Sequence, residues 1–417
     1  MLEFLIDAGF ILSVAFIWFM IAYQFVLTLA GFLHYFDSRR EKGKIDTLLE
    51  DGKLELPSVT ILVPAHNEEK VIKGTVLSIL GMEYPIEKME LMVLNDCSED
   101  KTGEILEEIR QTEPRLRIIN VPKEEGGRGK SAALNYGLKY ATGELIAIYD
   151  ADNQPEKSAL KYLGANLALH PELGAAEGMF RCRNRYVNLL TRFINIEGVA
   201  FQWIVQSGRW KMLKISTLPG TNFVMRKDLI QQLGGWDESA LTEDSELSIR
   251  IYQADKRIKF IPYSATWEQE PQSLAVWFRQ RTRWVRGNNY VLGKFLREIP
   301  RFKSKVLALE VLYSLSLYYI FLGAVFFSDL VFLLGLTGIW KITLLGPFSQ
   351  VWALGYLLFI LEVFLALSFE EEDKPGNFFL VLLSYFTYCQ AWLLVVLSAF
   401  WQDLRKTKRS WQKTERF

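Results

Sequence analysis

Long apolar stretches without charge constrain the fold of this chain more than any other feature. Residues 8–36 contain no Asp, Glu, Lys or Arg, and a helix needs roughly 20 apolar residues to cross a bilayer. The stretch has neither the basic start nor the small-residue cleavage site of a signal peptide, so we expect it to remain as an anchor. Acidic residues precede it, and basic residues follow it at positions 39–44. This asymmetry predicts an N-terminus outside and residue 40 onward in the cytoplasm.

The second half of the chain repeats the pattern. Three further segments are nearly free of charge: 306–328, 348–369 and 377–402. A weaker stretch, 330–345, is interrupted by Lys341 and is either a fourth crossing or a re-entrant or interfacial helix. The acidic loop 370–373 is expected outside, and the basic tail from Arg405 onward in the cytoplasm. Only an even number of C-terminal crossings satisfies both ends, which favours one N-terminal and four C-terminal segments.

Composition argues against several classes of protein. The 417 residues carry no net charge, which gives no basis for nucleic acid as a partner. The cysteines are too scattered for a disulfide framework or a CxxC metal site: Cys97, Cys182 and Cys389. They fit a reducing cytoplasm or a lipid-buried position.

The segment between the membrane stretches is expected to be an α/β domain. Short apolar runs occur at 59–64, 91–94, 116–121 and 145–149, with helical patterns between them at 69–80, 102–110 and 131–140. Strands that alternate with helices indicate a parallel sheet, whose ligands bind at the carboxyl ends of the strands. Polar residues follow three of the predicted strands, at 64–68, 95–100 and 150–153.

Asp150 and Asp152 are candidate residues for a cation site. Carboxylates at a strand end can hold Mg²⁺ against a diphosphate, because hard cations prefer oxygen ligands. An Asp-x-Asp pattern also occurs in solvated turns, so alone it leaves both interpretations open. For His66, stacking or hydrogen bonding is expected rather than metal ligation, since no second His lies near it in the sequence.

The Gly-rich segment 126–131 resembles a phosphate-binding P-loop only in part. A P-loop requires glycine where this chain has Glu124, and no strand leads directly into the segment, so we reject an NTPase. Lys130 is expected either to reach donor phosphates from this loop or to lie in a flexible connection before a helix.

Two later motifs are also candidates. Glu243 or Asp244 could be a general base for an acceptor hydroxyl, or with Thr242 they could form a helix N-cap and its acidic first turn. Four arginines then crowd a short segment with two tryptophans: Arg279, Arg281, Arg283, Arg286, Trp277 and Trp284. This segment is either a basic amphipathic helix on anionic lipid or a place where guanidinium groups meet a diphosphate and an indole meets a sugar.

In this order the motifs resemble those of membrane-integrated family 2 glycosyltransferases, which include cellulose, hyaluronan and poly-N-acetylglucosamine synthases. The resemblance covers nearly the whole chain and rests on residues 63–68, 96, 129–130, 150–152, 242–244 and 280–284. It implies an α/β GT-A fold, that of nucleotide-diphospho-sugar transferases. The implied domains are an N-terminal transmembrane helix and linker (1–44), a cytoplasmic GT-A domain with interfacial helices (45–300), and a C-terminal transmembrane bundle with a basic cytoplasmic tail (301–417).

The resemblance also implies a role for each motif residue. Asp244 is the catalytic base, and Asp152 holds Mg²⁺ or Mn²⁺. The donor is bound by Ala65, His66, Glu68, Asp96, Lys130, Asp150 and Arg283. The acceptor is bound by Gly220, Thr221, Asn222, Glu243, Gln280 and Trp284.

Two departures from the family pattern bear on the substrate. Asn95 replaces the first carboxylate of the common Asp-Asp-Gly-Ser sequence, although Asp96 remains to contact the nucleotide base. The loop at 218–222 lacks the cysteine of cellulose and hyaluronan synthases, which leaves the product sugar open.

The activity implied by the resemblance is processive, inverting transfer from a UDP-sugar to a growing polysaccharide that passes through the membrane. N-acetylglucosamine and glucose are the candidate sugars. The alternative is transfer of one sugar to a membrane lipid. A nucleotide-binding protein without catalysis is disfavoured by the complete set of carboxylates. The implied location is the cell membrane (plasma or inner), multi-pass, with membrane lipid and an accessory membrane subunit as partners.

Overall fold

The computed structural model describes residues 2–338 and 348–407. The strands are β1 Val59–Ala65, β2 Met89–Asn95, β3 Leu116–Asn120, β4 Leu145–Ile148, β5 Gln154–Pro155, β6 Leu173–Cys182, β7 Phe223–Arg226 and β8 Arg257–Glu268. The helices are α1 Leu2–Glu50, α2 Ile72–Leu80, α3 Thr102–Thr112, α4 Lys130–Leu138, α5 Ala159–Leu169, α6 Leu189–Ala200, α7 Ser207–Leu213, α8 Lys227–Gln232, α9 Glu243–Gln253, α10 Leu274–Phe295, α11 Lys305–Leu315, α12 Leu322–Leu336, α13 Phe348–Ser368, α14 Pro375–Ser384 and α15 Tyr388–Leu404.

The strands form one mixed sheet in the order β3-β2-β1-β4-β7-β6-β8-β5. β3, β2, β1 and β4 are parallel, which confirms the predicted parallel sheet and its four strands. β7 pairs antiparallel with β4 and β6, and β8 is parallel to β6. This second half of the sheet lies outside the predicted strands.

The central strand β1 is buried on both faces. Ile61 and Val63 pack into the core on one side of the sheet, and Leu62 packs into the core on the other. Alternation of this kind follows from the two-residue period of a strand, and helices on both faces explain why the run is continuously apolar. The rigid centre of the sheet therefore fixes the loops at its carboxyl edge.

Helix α1 joins the N-terminal apolar segment to the α/β domain as one helix of 49 residues. It packs against the domain through one glycine of its own, Gly31, and one glycine of the domain, Gly208. A Cβ atom on Gly31 would lie 2.2 Å from the backbone O of Trp203, and one on Gly208 would lie 2.3 Å from the O of Leu27. Small residues let helix backbones approach closely, so the domain is held tightly against α1.

Helices α11 and α12 join through a π-helical turn into one continuous run, 305–336. The predicted division of this region at residue 329, between the segments 306–328 and 330–345, is therefore wrong. Asp329 lies inside the run and accepts hydrogen bonds of 3.3 Å from both Tyr385 and Gln390. A charged residue with partners in the bundle does not have to end a helix. Residues 339–347 of the weaker predicted segment lie outside the described residues.

The acidic loop contacts the α/β domain. Glu370 pairs with Arg181 Nε at 2.8 Å and accepts a hydrogen bond of 3.1 Å from the Trp203 indole. Glu372 accepts a hydrogen bond of 2.8 Å from Arg185 Nε. The prediction that this loop lies across the membrane from the domain is therefore wrong. Lys and Arg govern membrane orientation far more than Asp and Glu do, and these carboxylates are balanced by arginines of the domain.

The apolar segment 377–402 folds as α14 and α15, with a bend of 44° between them. Both ends return to the α/β domain. Arg192 of α6 donates a hydrogen bond of 2.8 Å to Asn377, and Arg286 of α10 lies 3.0 Å from Asp403. The bend makes this segment either a broken span or a re-entrant segment, and anchorage to one domain at both ends favours the re-entrant segment over the predicted crossing. Exposed apolar side chains cover its outer face: Phe379, Leu383, Leu394, Leu397, Trp401 and Leu404.

The rest of the C-terminal part makes one excursion away from the α/β domain. Near the start of the run, Glu310 of α11 pairs with the buried Arg209. Further along, Phe327 lies beside Gly9 near the beginning of α1, where a Cβ atom would be 3.2 Å from Phe327 Cε1. Helix α13 then returns to the acidic loop on the domain. If both helical runs span a membrane, this path adds two crossings rather than the predicted four, and the even number is kept. Among the described residues, two helices are long and apolar enough to span a membrane, Leu5–Glu50 and Gln350–Ser368, and the bent pair Pro375–Ser384 and Tyr388–Leu404 passes the same test if it is taken as one span.

Cysteine labelling tests this arrangement in a chain whose three native cysteines have been replaced. A membrane-impermeant maleimide should label Glu371→Cys only after the membrane is opened, as it should Glu87→Cys, since both positions are exposed on the side of the domain. Glu3→Cys should react in intact cells, because the N-terminus is expected outside. Labelling of position 371 in intact cells would contradict docking of the acidic loop.

Candidate active site

Loops meet at the carboxyl edge of the central parallel strands. Ala65 at the end of β1 pairs with Asn95 at the end of β2. His66 Nδ1 lies 2.6 Å from the backbone O of Asp96, whose N–H donates to Ala65 O at 2.8 Å. A carbonyl oxygen only accepts hydrogen bonds, which assigns the proton of the neutral ring to Nδ1. Glu68 is buried in the same loop. The structure therefore brings together the predicted residues of the first two strand ends.

The Gly-rich segment folds back onto Asp96. The N–H of Gly127 donates to Asp96 Oδ1 at 2.7 Å. A Cβ atom on Gly126 would lie 2.7 Å from the same oxygen, so a larger residue would displace the loop. Gly129 has a φ of 106°, a conformation that favours glycine, and α4 begins directly after it. The loop thus delivers Lys130 to the strand edge, which favours a role in the site over a merely flexible connection.

Lys130 is the centre of the site. Its ammonium group lies 2.7 Å from Asp150 Oδ1 and 3.3 Å from Glu243 Oε1, and it donates to the backbone O of Gly220 at 2.6 Å. Burial alone lowers the pKa of Lys130, but the negative charges of Asp150, Glu243 and Asp244 together outweigh it and raise the pKa above its usual value. Lys130 is therefore a fixed cation among three carboxylates.

Asp244 lies in the first turn of α9, next to Lys130. A Cβ atom on Gly220 would lie 3.0 Å from Asp244 Oδ2, so the glycine keeps the approach to this oxygen open. Removal of water from the carboxyl group raises the pKa of Asp244 to about 7; Glu243 adds to the shift and Lys130 opposes it. A pKa near neutral suits a general base. The capping interpretation is incomplete, since Thr242 makes no side-chain capping bond.

The loop before β7 is built on two buried polar side chains. Asn222, with a φ of 49°, donates from Nδ2 to a backbone carbonyl of β6 at 2.9 Å. Thr221 accepts from the N–H of Asp150 at 3.1 Å and donates to Asn153. These side chains fix the loop from inside, while Gly220 faces the carboxylates. Direct contact of Thr221 or Asn222 with an acceptor stays a prediction.

Asp152 remains the candidate residue for a cation, which would need further oxygen ligands. It is buried after β4, and its Oδ2 accepts a hydrogen bond of 3.4 Å from the N–H of Gln269. No group of three or more His, Cys, Asp or Glu residues suited to a metal occurs in the part of the chain that the structure describes. Asp150 and Asp152 fit the oxygen preference of Mg²⁺ or Mn²⁺, with a diphosphate and water needed to complete the shell.

Helix α10 carries the predicted residues Gln280, Arg283 and Trp284 and lies beside Thr242, at the start of the helix that carries Asp244. It approaches closely because a Cβ atom on Gly287 would lie 2.5 Å from Thr242 Cγ2. Two of its four arginines, Arg281 and Arg286, are buried and paired with Glu197 and Asp403. The interpretation of α10 as a lipid-facing basic helix is therefore wrong for these two.

Residues 57–287 match the family described as "Glycosyltransferase like family 2", and they make up more than half of the chain. The chain belongs to glycosyltransferase family 2. It is 41% identical over 413 residues to "Probable glycosyltransferase YdaM" of Bacillus subtilis (strain 168), covering 98% of this chain and 97% of that one. It is 26% identical over 404 residues to the poly-beta-1,6-N-acetyl-D-glucosamine synthase of Staphylococcus epidermidis, covering 93% and 94% of the two chains.

Among solved structures, this family 2 glycosyltransferase is similar to the mannosyltransferase PcManGT from Pyrobaculum calidifontis, determined in complex with GDP-Man and Mn²⁺. The TM-score is 0.60 over 97% of this chain and 100% of that one. At 20% identity the likeness shows the fold, and it confirms the predicted GT-A fold.

Two carboxylates near the site of the glycosyltransferase belong to no predicted motif. Glu177 is fully buried on β6 and accepts hydrogen bonds from Gln206 and Ser216, and burial raises the pKa of Glu177 well above its usual value. Glu197 on α6 pairs with Arg281 of α10. The available signal is the same for both: Glu177 and Glu197 are each a lone acid in an otherwise largely apolar run. Their partners are distant in sequence and could not be predicted.

The raised pKa of Asp244 makes the pH dependence of the glycosyltransferase testable. A general base works deprotonated, so kcat/KM should fall as the pH drops through about 7. Lys130→Met removes the positive charge that lowers this pKa, so the acidic limb of the residual activity should move to higher pH. A wild-type limb near the ordinary aspartate pKa of about 4 would contradict Asp244 as the base.

Proposed function

We propose that this enzyme is a processive, inverting β-glycosyltransferase that polymerises N-acetylglucosamine or glucose from a UDP-sugar and passes the product across the membrane. The observation that carries the proposal is the contact of Lys130 with Asp150, Glu243 and Gly220, beside Asp244. It joins the donor edge of the sheet, the base and the acceptor loop in one cluster. The synthase relative from Staphylococcus epidermidis supports N-acetylglucosamine.

In the proposed reaction Asp244 accepts the proton of the acceptor hydroxyl. The hydroxyl oxygen bonds to the anomeric carbon on the face opposite the diphosphate, and the bond from that carbon to the diphosphate breaks. A single displacement inverts the anomeric centre, so an α-linked donor gives a β-linked product. Lys130 and Arg283 stabilise the negative charge that grows on the leaving diphosphate.

The donor nucleotide is proposed to lie along the ends of β1 and β2. His66 is proposed to pack on the uracil ring of the nucleotide and Asp96 to contact that ring. Ala65 and Glu68 line the same loop. The ordering of this loop by the His66–Asp96 contact of 2.6 Å supports a preformed nucleotide pocket.

A divalent cation is proposed to bind at Asp152, with Asp150 beside it. When bound, Mg²⁺ or Mn²⁺ would neutralise charge on the diphosphate. Support comes from the mannosyltransferase of similar fold, whose structure is described as a complex with Mn²⁺.

The proposed location is the cell membrane, with the α/β domain in the cytoplasm. Basic residues at 39–44 and at Arg405 and Lys406 support this orientation. The two passes of the C-terminal part form a small bundle, which favours an accessory membrane subunit for passage of a polymer. The same observation supports a second candidate function, transfer of one sugar to a membrane lipid.

Product analysis separates the two functions. Membranes that contain the enzyme are incubated with one radiolabelled UDP-sugar at a time, and the products are separated by size and by extraction into organic solvent. A polymer or ladder formed from UDP-N-acetylglucosamine or UDP-glucose supports the first proposal. A single extractable glycolipid overturns it in favour of the second.

Trp284→Ala should reduce polymer formation strongly, while hydrolysis of the UDP-sugar by water persists. A flat indole stacks on the apolar face of a sugar and tolerates the change of register that a moving polymer needs. The alternative is that Trp284 only anchors the protein at the interface. In that case the variant would lower protein yield but keep normal polymer length and rate per folded molecule.

A further inference from the structure

Glu197 is the meeting point of three hydrogen-bond donors. Arg281 Nη2 and the Tyr388 hydroxyl donate to its Oε2 at 2.8 and 2.7 Å, and the Trp392 indole donates to its Oε1 at 2.9 Å. The carboxylate comes from α6, and its partners come from α10 and α15. One side chain therefore joins three helices that are far apart in sequence.

Arg281 depends on this carboxylate. Arg281 is buried with 2% of its surface exposed, and removal of the anion beside a buried cation is strongly destabilising. The other arm of the guanidinium, Nη1, donates to Gln280 Oε1 at 2.8 Å. Glu197 therefore fixes Arg281, and Arg281 fixes Gln280.

The same guanidinium sets the orientation of Trp284. The Cζ atom of Arg281 lies 4.0 Å from the centre of the Trp284 ring, within the range of a cation–π contact. Arg281 thus occupies one face of the indole, so a sugar would stack on the other. Gln280 and Trp284, the two side chains of α10 with a proposed acceptor role, share this one cation as their support.

Helix α15 braces the arrangement at two points. The Tyr388 hydroxyl accepts a hydrogen bond of 3.0 Å from the Trp277 indole of α10 while it donates to Glu197. At the other end of the helix, Asp403 accepts hydrogen bonds from Arg286 at 3.0 Å and from Asn289 at 2.8 Å. The first brace shares Glu197 with Arg281 and the second does not, so the two can be tested separately.

We propose that Glu197 is a positioning residue for the acceptor sugar. It orients Arg281 so that Trp284 and Gln280 present a fixed surface to the acceptor end, and Tyr388 and Trp392 complete the support. The proposal rests on the acceptor role of Trp284 in the proposed function. It assigns Glu197 no contact with the donor, so its loss should impair transfer to the acceptor and spare cleavage of the UDP-sugar by water.

The test compares Glu197→Gln with wild type. The amide keeps the size of the side chain but loses the charge that holds Arg281. We expect the ratio of transfer to hydrolysis to fall roughly 10- to 100-fold, because small misplacement of a reacting group has effects of that order. The KM for a short β-linked oligosaccharide acceptor should rise and product length should fall, while the KM for the UDP-sugar stays that of wild type. Tyr388→Phe removes one bond to the same carboxylate and should give a smaller change in the same direction; it serves if Glu197→Gln does not fold.

Asp403→Asn is the matched control. It weakens the second brace between α15 and α10 but leaves the contacts of Arg281 in place, so its ratio of transfer to hydrolysis should equal that of wild type. An unchanged ratio of transfer to hydrolysis in Glu197→Gln, whether both rates stay at the wild-type level or fall equally, would overturn the positioning role. The identity of the wild-type product tests the proposed function separately, since the ratio reports on Glu197 whether the acceptor is a saccharide or a lipid.

Discussion

Asp244→Asn should abolish sugar transfer while the enzyme still binds UDP. An amide of nearly the same size cannot take a proton from the acceptor hydroxyl, and loss of a general base typically costs roughly 10²–10⁴-fold in rate. The carboxylate lies beside Gly220 and Lys130, so the substitution leaves untouched the loops after β1 and β2 that are proposed to hold the nucleotide. Transfer rates with purified enzyme and UDP affinity by calorimetry measure the two effects.

Asp228→Asn is a suitable control for this variant. Asp228 stands in the first turn of α8, as Asp244 does in α9, but it is exposed. If Asp244 served only to stabilise its helix, the two substitutions would cost similar small amounts of stability and neither would stop transfer. A rate above about a tenth of wild type in Asp244→Asn would remove it from the role of base.

The parallel half of the sheet could be predicted because each of its strands is a short apolar run followed by polar residues. β6 could not, since it contains glycine and alanine where strands usually carry branched residues. Small residues are needed there because other segments of the chain pack closely against the strand. A Cβ atom on Gly178 would lie 2.2 Å from Asn222 Nδ2 and 2.4 Å from the O of Ser264. Such close approach between distant segments leaves no periodic pattern in the sequence.

The candidate site, like the sheet, has a part that could be predicted from the sequence and a part that could not. Residues after β1, β2 and β4 were predictable as neighbours because parallel strands end at one edge. The bond from Lys130 to Gly220 O joins positions 90 residues apart in sequence, and only the fold brings them together. The negative charge of the acidic loop did not predict its position. Glu370 and Glu372 form ion pairs with arginines of the α/β domain, so the loop lies against the domain.

Activity should require Mg²⁺ or Mn²⁺ and should be lost in Asp152→Asn. Excess EDTA should stop transfer by wild-type enzyme, and either cation added beyond the EDTA concentration should restore it. The asparagine variant keeps an oxygen that can accept from the Gln269 N–H, as Asp152 does at 3.4 Å. Its loss of function would therefore come from the missing charge rather than from an unpaired buried N–H, which can cost about 1–3 kcal/mol of stability.

Thermal unfolding gives a second readout that does not depend on catalysis. A ligand that binds only the folded protein raises its unfolding temperature. UDP together with Mn²⁺ should therefore stabilise wild type more than UDP with EDTA does, and this difference should disappear in Asp152→Asn. The unliganded variant should unfold at nearly the wild-type temperature if Asp152 serves the cation rather than the core. Full transfer by wild type in excess EDTA, or an undiminished Mn²⁺ effect in the variant, would show that Asp152 does not hold a required metal.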